Sequence, residues 1–140
     1  MFPRYPLAKA AQSEDLKAAF EKHHTETEGQ IERLEKVFAV IEKKPQGKTC
    51  AAINGITEEG AEIMKKYKGS PALDAGLLAA AQAVEHYEIS RYGTLIAWAE
   101  ELGLDEAVSL LEETLEEEKA TDEVLTEIAK TAINQQAEAA

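Results

Sequence analysis

Apolar residues return along this chain at alternating steps of three and four in three long stretches, the spacing that lines one face of a helix. The first seam reads Leu16, Phe20, His23, Thr27, Gln30, Leu34, with Val37 and Ile41 beyond it and Ile31 and Phe38 beside it. The second reads Leu78, Ala81, Glu85, Glu88, Tyr92, Leu95, and the third Leu111, Leu115, Glu118, Asp122, Leu125, Ala129. Breakers bound all three. Ser13 offers a side-chain cap, and Glu14 and Asp15 follow it where the helix dipole favours negative charge. Pro45 stops the first helix near Lys43-Lys44, because the residue before a proline is pushed out of α geometry. Lys68-Gly69-Ser70-Pro71 and Gly103 punctuate the rest. The expected long helices therefore cover 13–44, 72–102 and 105–134, with a polar tail over 135–140 that frays. Residues 45–71 form a connection long enough to cross the length of a bundle. It contains a short helix at 50–67, with Ile53, Ile56, Ile63 and Met64 as the expected buried face. The short link between the last two long helices makes them antiparallel neighbours. At 140 residues the pattern describes one domain, 1–140, an all-α helical bundle.

Composition narrows the partners more than the fold. The net charge of −12 argues against nucleic acid, which is held through clustered Lys and Arg. No run of eighteen apolar residues exists to span a membrane, and Met1–Pro6 lacks the apolar run of a signal peptide. A lone cysteine, Cys50, has no internal disulfide partner and reads as structural, so a cytoplasmic location is the default expectation. Between Glu100 and Glu127 twelve acidic residues stand against one lysine, Lys119, and most of these belong to a solvated helix face.

The chemistry lies in the acidic residues that do not. Each seam is polar at its centre and apolar above and below: His23, Thr27 and Gln30 on the first helix, Glu85 and Glu88 on the second, Glu118 and Asp122 on the third. Glu26 borders the first of these faces. A carboxylate ionised in a bundle interior costs several kcal/mol unless something neutralises it, and no Lys or Arg occupies the seams. Arg91 and Lys119 only flank them. A multivalent cation neutralises several carboxylates together, and carboxylate plus imidazole is the donor set of bundle di-iron and di-manganese sites. The candidate metal ligands are His23, Glu26, Glu85, Glu88, Glu118 and Asp122, with Glu117 the alternative if the third helix is rotated. Gln30 is a candidate partner for Glu26 four residues away, and Tyr92 for a ligand carboxylate one turn away. His24 lies a step off the seam, and His86 points about 100° away from Glu85. Trp98 and Phe38 read as core or interface.

These residues also carry a family likeness. The run Ala80-Ala81-Gln82-Ala83-Val84-Glu85-His86-Tyr87-Glu88-Ile89, followed by Tyr92-Gly93-Thr94-Leu95, resembles the signature of the YciF-like bacterial stress proteins, a branch of the ferritin-like superfamily. The stretches from His23 to Leu34 and from Glu112 to Leu125 resemble it too, so the likeness spans Ala8 to Asn134. It implies a ferritin-like bundle with a long crossover, two iron ions (manganese as the alternative) at the bundle centre, and a role in stress response that extends to reaction with oxygen or peroxide. It also implies an N-terminal helix with a further ligand glutamate. Residues 1–12 read as a remnant of that helix, so the first helix is expected to be truncated. An apolar groove then favours self-association, a dimer first. The competing expectation is a metal-free helical interaction module that pairs through that groove. An iron-storing shell is a third, with no sequence feature that indicates its assembly.

Overall fold

The computed structural model describes the backbone of residues 4–140 and the side-chain surroundings of residues 6–140. Six α-helices follow one another: α1 (Arg4–Ala10), α2 (Glu14–Val40), α3 (Ala51–Lys66), α4 (Leu73–Glu101), α5 (Asp105–Ile128) and α6 (Asn134–Ala137), with a π-helical turn at Ala129–Ile133 between the last two. No strand occurs among the described residues, and no helix there is long and apolar enough to cross a membrane. The first three residues of the expected remnant lie outside the described part, and the rest of it contains α1.

Helix α2 begins where the sequence places it. Ser13 Oγ accepts the Leu16 N–H at 3.4 Å, satisfying one of the donors that a helix start leaves open. A second clamp was not legible from sequence. The carboxylate of Asp74, near the start of α4 and 3% exposed, accepts the backbone N–H groups of Gln12 at 2.8 Å and Ser13 at 2.7 Å. The α1–α2 corner is thereby tied to the start of α4. Leu7, Ala8 and Ala11 are buried beside it.

Helix α2 ends at Val40, four residues before the expected Lys44. Glu42 adopts φ 55°, and the N–H groups of Glu42 and Lys43 turn back to Ala39 O at 3.0 Å and Phe38 O at 2.9 Å. This paired closure satisfies terminal carbonyls and is usually built on glycine. A residue with a Cβ costs roughly 1–2 kcal/mol in the left-handed region, so nothing in the sequence marked it. At the end of α4, Gly103 (φ 67°) makes the same closure without that penalty.

The crossover helix α3 packs chiefly on α4. Its expected face of Ile53, Ile56, Ile63 and Met64 is half-buried, and only Gly60 is fully buried. One supporting helix covers only part of an amphipathic surface. The packing is nonetheless close, since a Cβ placed on Gly76 of α4 would meet Ile63 Cγ2 at 2.5 Å.

Helix α5 packs against both α2 and α4. Residue pairs such as His23 with Thr121 and Arg33 with Glu117 run in opposite order along α2 and α5. The pairing of Gln82 with Thr126, alongside that of His23 with Glu118 and Glu85, sets α4 antiparallel to α5 as well. So α2 and α4 run parallel, which is why a long crossover must join them. The last helix extends past its expected end to Ala137, through the π turn. That wide turn keeps Leu125, Ala129 and Ile133, four apart, buried in one line where a 3.6-residue helix would drift off it.

Two apolar clusters result. One gathers Leu16, Phe20, Leu77, Leu78, Leu125 and Ile133 with α1, and the other gathers Ile96, Ala99, Ala107 and Leu111. Phe38 is half-buried at the second end, where Trp98 is 63% exposed. The polar residues of the three seams lie between these clusters.

The Asp74 clamp is directly testable. Asp74→Ala leaves two backbone donors without their carboxylate, and a loss of about 3 kcal/mol is expected in a urea melt, with Tm lower by roughly 10 °C. A melt equal to the parent's would show the clamp to be energetically idle.

Candidate metal centre

Four of the expected ligands converge between the apolar clusters. His23 comes from α2, Glu85 and Glu88 from successive turns of α4, and Glu118 from α5. One donor atom from each lies within 4.8 Å of all the others. His23 is 3% exposed, Glu85 2% and Glu118 0%, and Glu88 is half-buried. The imidazole sits centrally, with Nε2 at 3.5 Å from Glu85 Oε1 and 3.8 Å from Glu118 Oε2. Each helix contributes what its register dictates. Glu85 and Glu88, three apart, share one face of α4, and Glu118 sits seven residues from both Leu111 and Leu125 on the buried line of α5.

The other two expected ligands are held elsewhere. Glu26 is partly exposed, its Oε1 at 2.9 Å from Lys22 Nζ and its Oε2 at 3.5 Å from His23 Nδ1. It therefore reaches the far side of the imidazole. Asp122 Oδ1 accepts Gln82 Nε2 at 3.1 Å and lies 3.0 Å from His86 Nε2, at the rim between α4 and α5. His86 is exposed and turned from the cluster, and His24 is exposed too. Tyr92 is half-buried against the second apolar cluster.

Glu117 and Glu118 divide cleanly. Glu118 faces the cluster, whereas Glu117 faces Arg33 of α2, which donates Nη1–H to Glu117 Oε2 at 2.9 Å and to Thr114 Oγ1 at 3.1 Å. Arg33 Nη2 also meets Glu113 at 2.8 Å. Gln30, expected beside Glu26, instead donates to Glu117 Oε2 at 3.1 Å. The Arg33 hydrogen bond holds the Glu117 carboxyl below the usual carboxylate range, with burial opposing, and Glu117 in turn raises the guanidinium further. Arg33 lies off the hydrophobic seam, so a search along the seams alone passes over it.

Two buried threonines on α5 were also missed. Thr114 is 1% and Thr121 8% exposed, and Thr121 Oγ1 lies 2.9 Å from His23 Nδ1. Their seven-residue spacing about Glu118 was the available signal, since a heptad separation returns to nearly the same face. Cys50 is half-buried, with Sγ 3.1 Å from the Tyr87 hydroxyl.

The family described as "Domain of unknown function (DUF892)" matches residues 5–138. The chain belongs to the DUF892 family. Escherichia coli (strain K12) protein YciF is 47% identical over 133 residues, covering 94% of this chain and 80% of YciF. Among solved structures, that of the E. coli stress protein YciF superposes with a TM-score of 0.86 at 47% identity, covering 91% of this chain and 81% of the other. YcfI from Rhodopseudomonas palustris superposes with a TM-score of 0.85 at 46% identity, over 88% and 78% of the two chains. This DUF892 chain is thus a YciF-like helical bundle, as the seam motifs implied.

The Arg33–Glu117 link has a signed pH dependence. A carboxyl with a lowered folded-state pKa stabilises the fold above its unfolded value of 4.5, and that contribution disappears as pH falls through the folded value. Arg33→Met is expected to cost about 1 kcal/mol at pH 7. The gap between variant and parent in denaturant melts should close as pH is lowered from 6 to below 4. A gap that stays constant over that range contradicts the assignment.

Proposed function

We propose that this DUF892 chain is a stress-response protein that binds iron, with manganese as the alternative metal, through His23, Glu85, Glu88 and Glu118. The observation that carries the reading is the charge count at the bundle centre. Three carboxylates and one imidazole place their donor atoms within 4.8 Å, with three of the four residues almost wholly buried. A divalent cation offsets two of the three negative charges and matches the oxygen-plus-nitrogen donor set, with His23 coordinating as the neutral imidazole. Buried charge is tolerated when it is paired or coordinates a metal.

Two ions are expected from the family likeness. The four clustered donors account for one ion; a second draws on Asp122 or Glu26, which must leave Gln82 and Lys22 to take part. The void beside His23, lined by Leu7, Phe20, Ala81, Val84 and Leu125, is about 10 Å³, room for one water-sized molecule. Iron bound at the cluster would supply ferrous–ferric chemistry, and oxygen or peroxide is the reaction partner that the family likeness implies.

Anaerobic loading with Fe(II) tests the site. The parent should retain stoichiometric iron after desalting, and Glu85→Ala with Glu88→Ala should retain none. Fe(II) or Mn(II) at a hundredfold excess over Kd should raise the parent's stability by about 2.7 kcal/mol, and chelator should reverse it. Equal iron content in parent and double variant would sink the assignment.

A second reading concerns self-association and is compatible with the first. An apolar cleft of about 240 Å³ opens between the C-terminal halves of α2 and α4, walled by Leu34, Val37, Phe38 and Ile41 on one side and Leu95, Trp98 and Leu102 on the other. Trp98 and Leu102 are 63% and 72% exposed. A second copy related by a two-fold axis fits this face, because each copy then offers both a cleft and a projecting tryptophan. Sedimentation should find a dimer for the parent and a monomer for Trp98→Glu with Leu102→Glu. A monomeric parent removes this reading and leaves the metal site untouched.

A further inference from the structure

We infer that Arg33 is a positioning residue: it fixes the rotation of α5 and so selects Glu118, not Glu117, for the acidic cluster. The inference deepens the metal-centre reading and rests on it for the consequence for metal binding. Apolar burial alone leaves two similar faces on α5. The line that enters the core is Leu111, Glu118, Leu125, and the line one step behind it is Leu110, Glu117, Val124. Both set a central glutamate between apolar residues seven positions away, a separation that returns to nearly the same face. Rotating α5 by about 100° would exchange them. In the fold the first line is 3%, 0% and 0% exposed, whereas Leu110 and Glu117 are half-buried and Val124 is 44% exposed.

What separates the two lines is a set of contacts on the α2 side. The two terminal nitrogens of a guanidinium carry four N–H groups, and α5 answers each of those on Arg33. Nη1 donates to Glu117 Oε2 at 2.9 Å and to Thr114 Oγ1 at 3.1 Å. Nη2 meets Glu113 Oε1 at 2.8 Å and also donates to Glu117 Oε1. Gln30, 4% exposed and three residues earlier on α2, adds an N–H to Glu117 Oε2 at 3.1 Å. The acceptors sit at positions 113, 114 and 117, on one side of a single turn of α5. A planar fork that serves all three tolerates little rotation of the helix carrying them. With Glu117 held against α2, its neighbour Glu118 is left facing His23 and Glu85.

The sign of a change in metal affinity tells positioning from simple charge. Removing a nearby cation by itself strengthens cation binding, whereas removing the residue that aims a ligand weakens it. With Mn(II) as the probe, Arg33→Met should bind about 10–100-fold more weakly than the parent. Arg33→Lys, which keeps the charge without the planar fork, should fall between them. Asp74→Ala, destabilised at a remote corner, should bind as the parent does. Unchanged or tighter binding in Arg33→Met overturns the inference, and so does an equal loss in Asp74→Ala. A second readout needs no metal. In proton NMR spectra of the metal-free full chain, the Glu118 side chain should show through-space cross-peaks to the His23 ring in the parent and in Asp74→Ala. Arg33→Met should lose them. Their persistence there shows that packing alone sets the rotation, and overturns the inference. A parent that binds neither Mn(II) nor Fe(II) overturns the metal reading, and the cross-peaks then decide the role of Arg33 by themselves.

Discussion

The confinement of three glutamates and a histidine in the middle of a small bundle is the constraint around which this molecule is organised. Carboxylates at 2% and 0% exposure are destabilising unless their charge is answered locally. The bundle confines that destabilisation to one layer. Leucines, alanines and Phe20 pack on one side of it, and Ile96, Ala99, Ala107 and Leu111 on the other. Hydrophobic clusters thus pack at both ends of this polar layer. A ligand that neutralises the centre joins the two halves of the core energetically, and the metal-binding proposal gives that layer a purpose consistent with its cost.

Around the layer, polar contacts do different work according to their distance from it. Arg33 collects Glu117, Glu113 and Thr114, so the most acidic stretch of α5 is answered on its α2 side by a cation and is not left to repel itself. Asp74 ties the α1–α2 corner to α4 far from the centre. Thr121 and Glu26 stand between these roles, touching the imidazole from the side away from the carboxylates. The Gln82–Asp122–His86 contacts finish the outer edge of the same layer. Charge is graded from compensated ion pairs at the rim to a concentrated acidic cluster inside.

Much of this was legible beforehand. Ser13, Lys68-Gly69-Ser70-Pro71 and Gly103 act on local backbone, so they mark helix ends wherever the helices go. The ends that sequence missed lack such a mark: Glu42 takes a glycine's place, and the π turn at Ala129–Ile133 is imposed by the need to keep Ile133 buried. The half-buried face of α3 was overread for a related reason. Periodicity reports that a face is apolar, but the number of helices covering it is a tertiary fact.

The sequence by itself determined that this is a helical bundle, that its three long helices carry polar residues at mid-length, and that it resembles the YciF-like proteins. Those properties follow from spacing along single helices. Only the tertiary structure decided which polar residues meet. Neighbouring positions on a helix differ by about 100°, so a modest rotation exchanges Glu118 for Glu117, and packing against α2 and α4 sets that rotation. The same packing turned Glu26 to the far side of the imidazole, Asp122 to Gln82 and Gln30 to Glu117. It also brought Arg33 and Thr121 from α2 and α5 to partners more than eighty residues away, a separation no local pattern encodes.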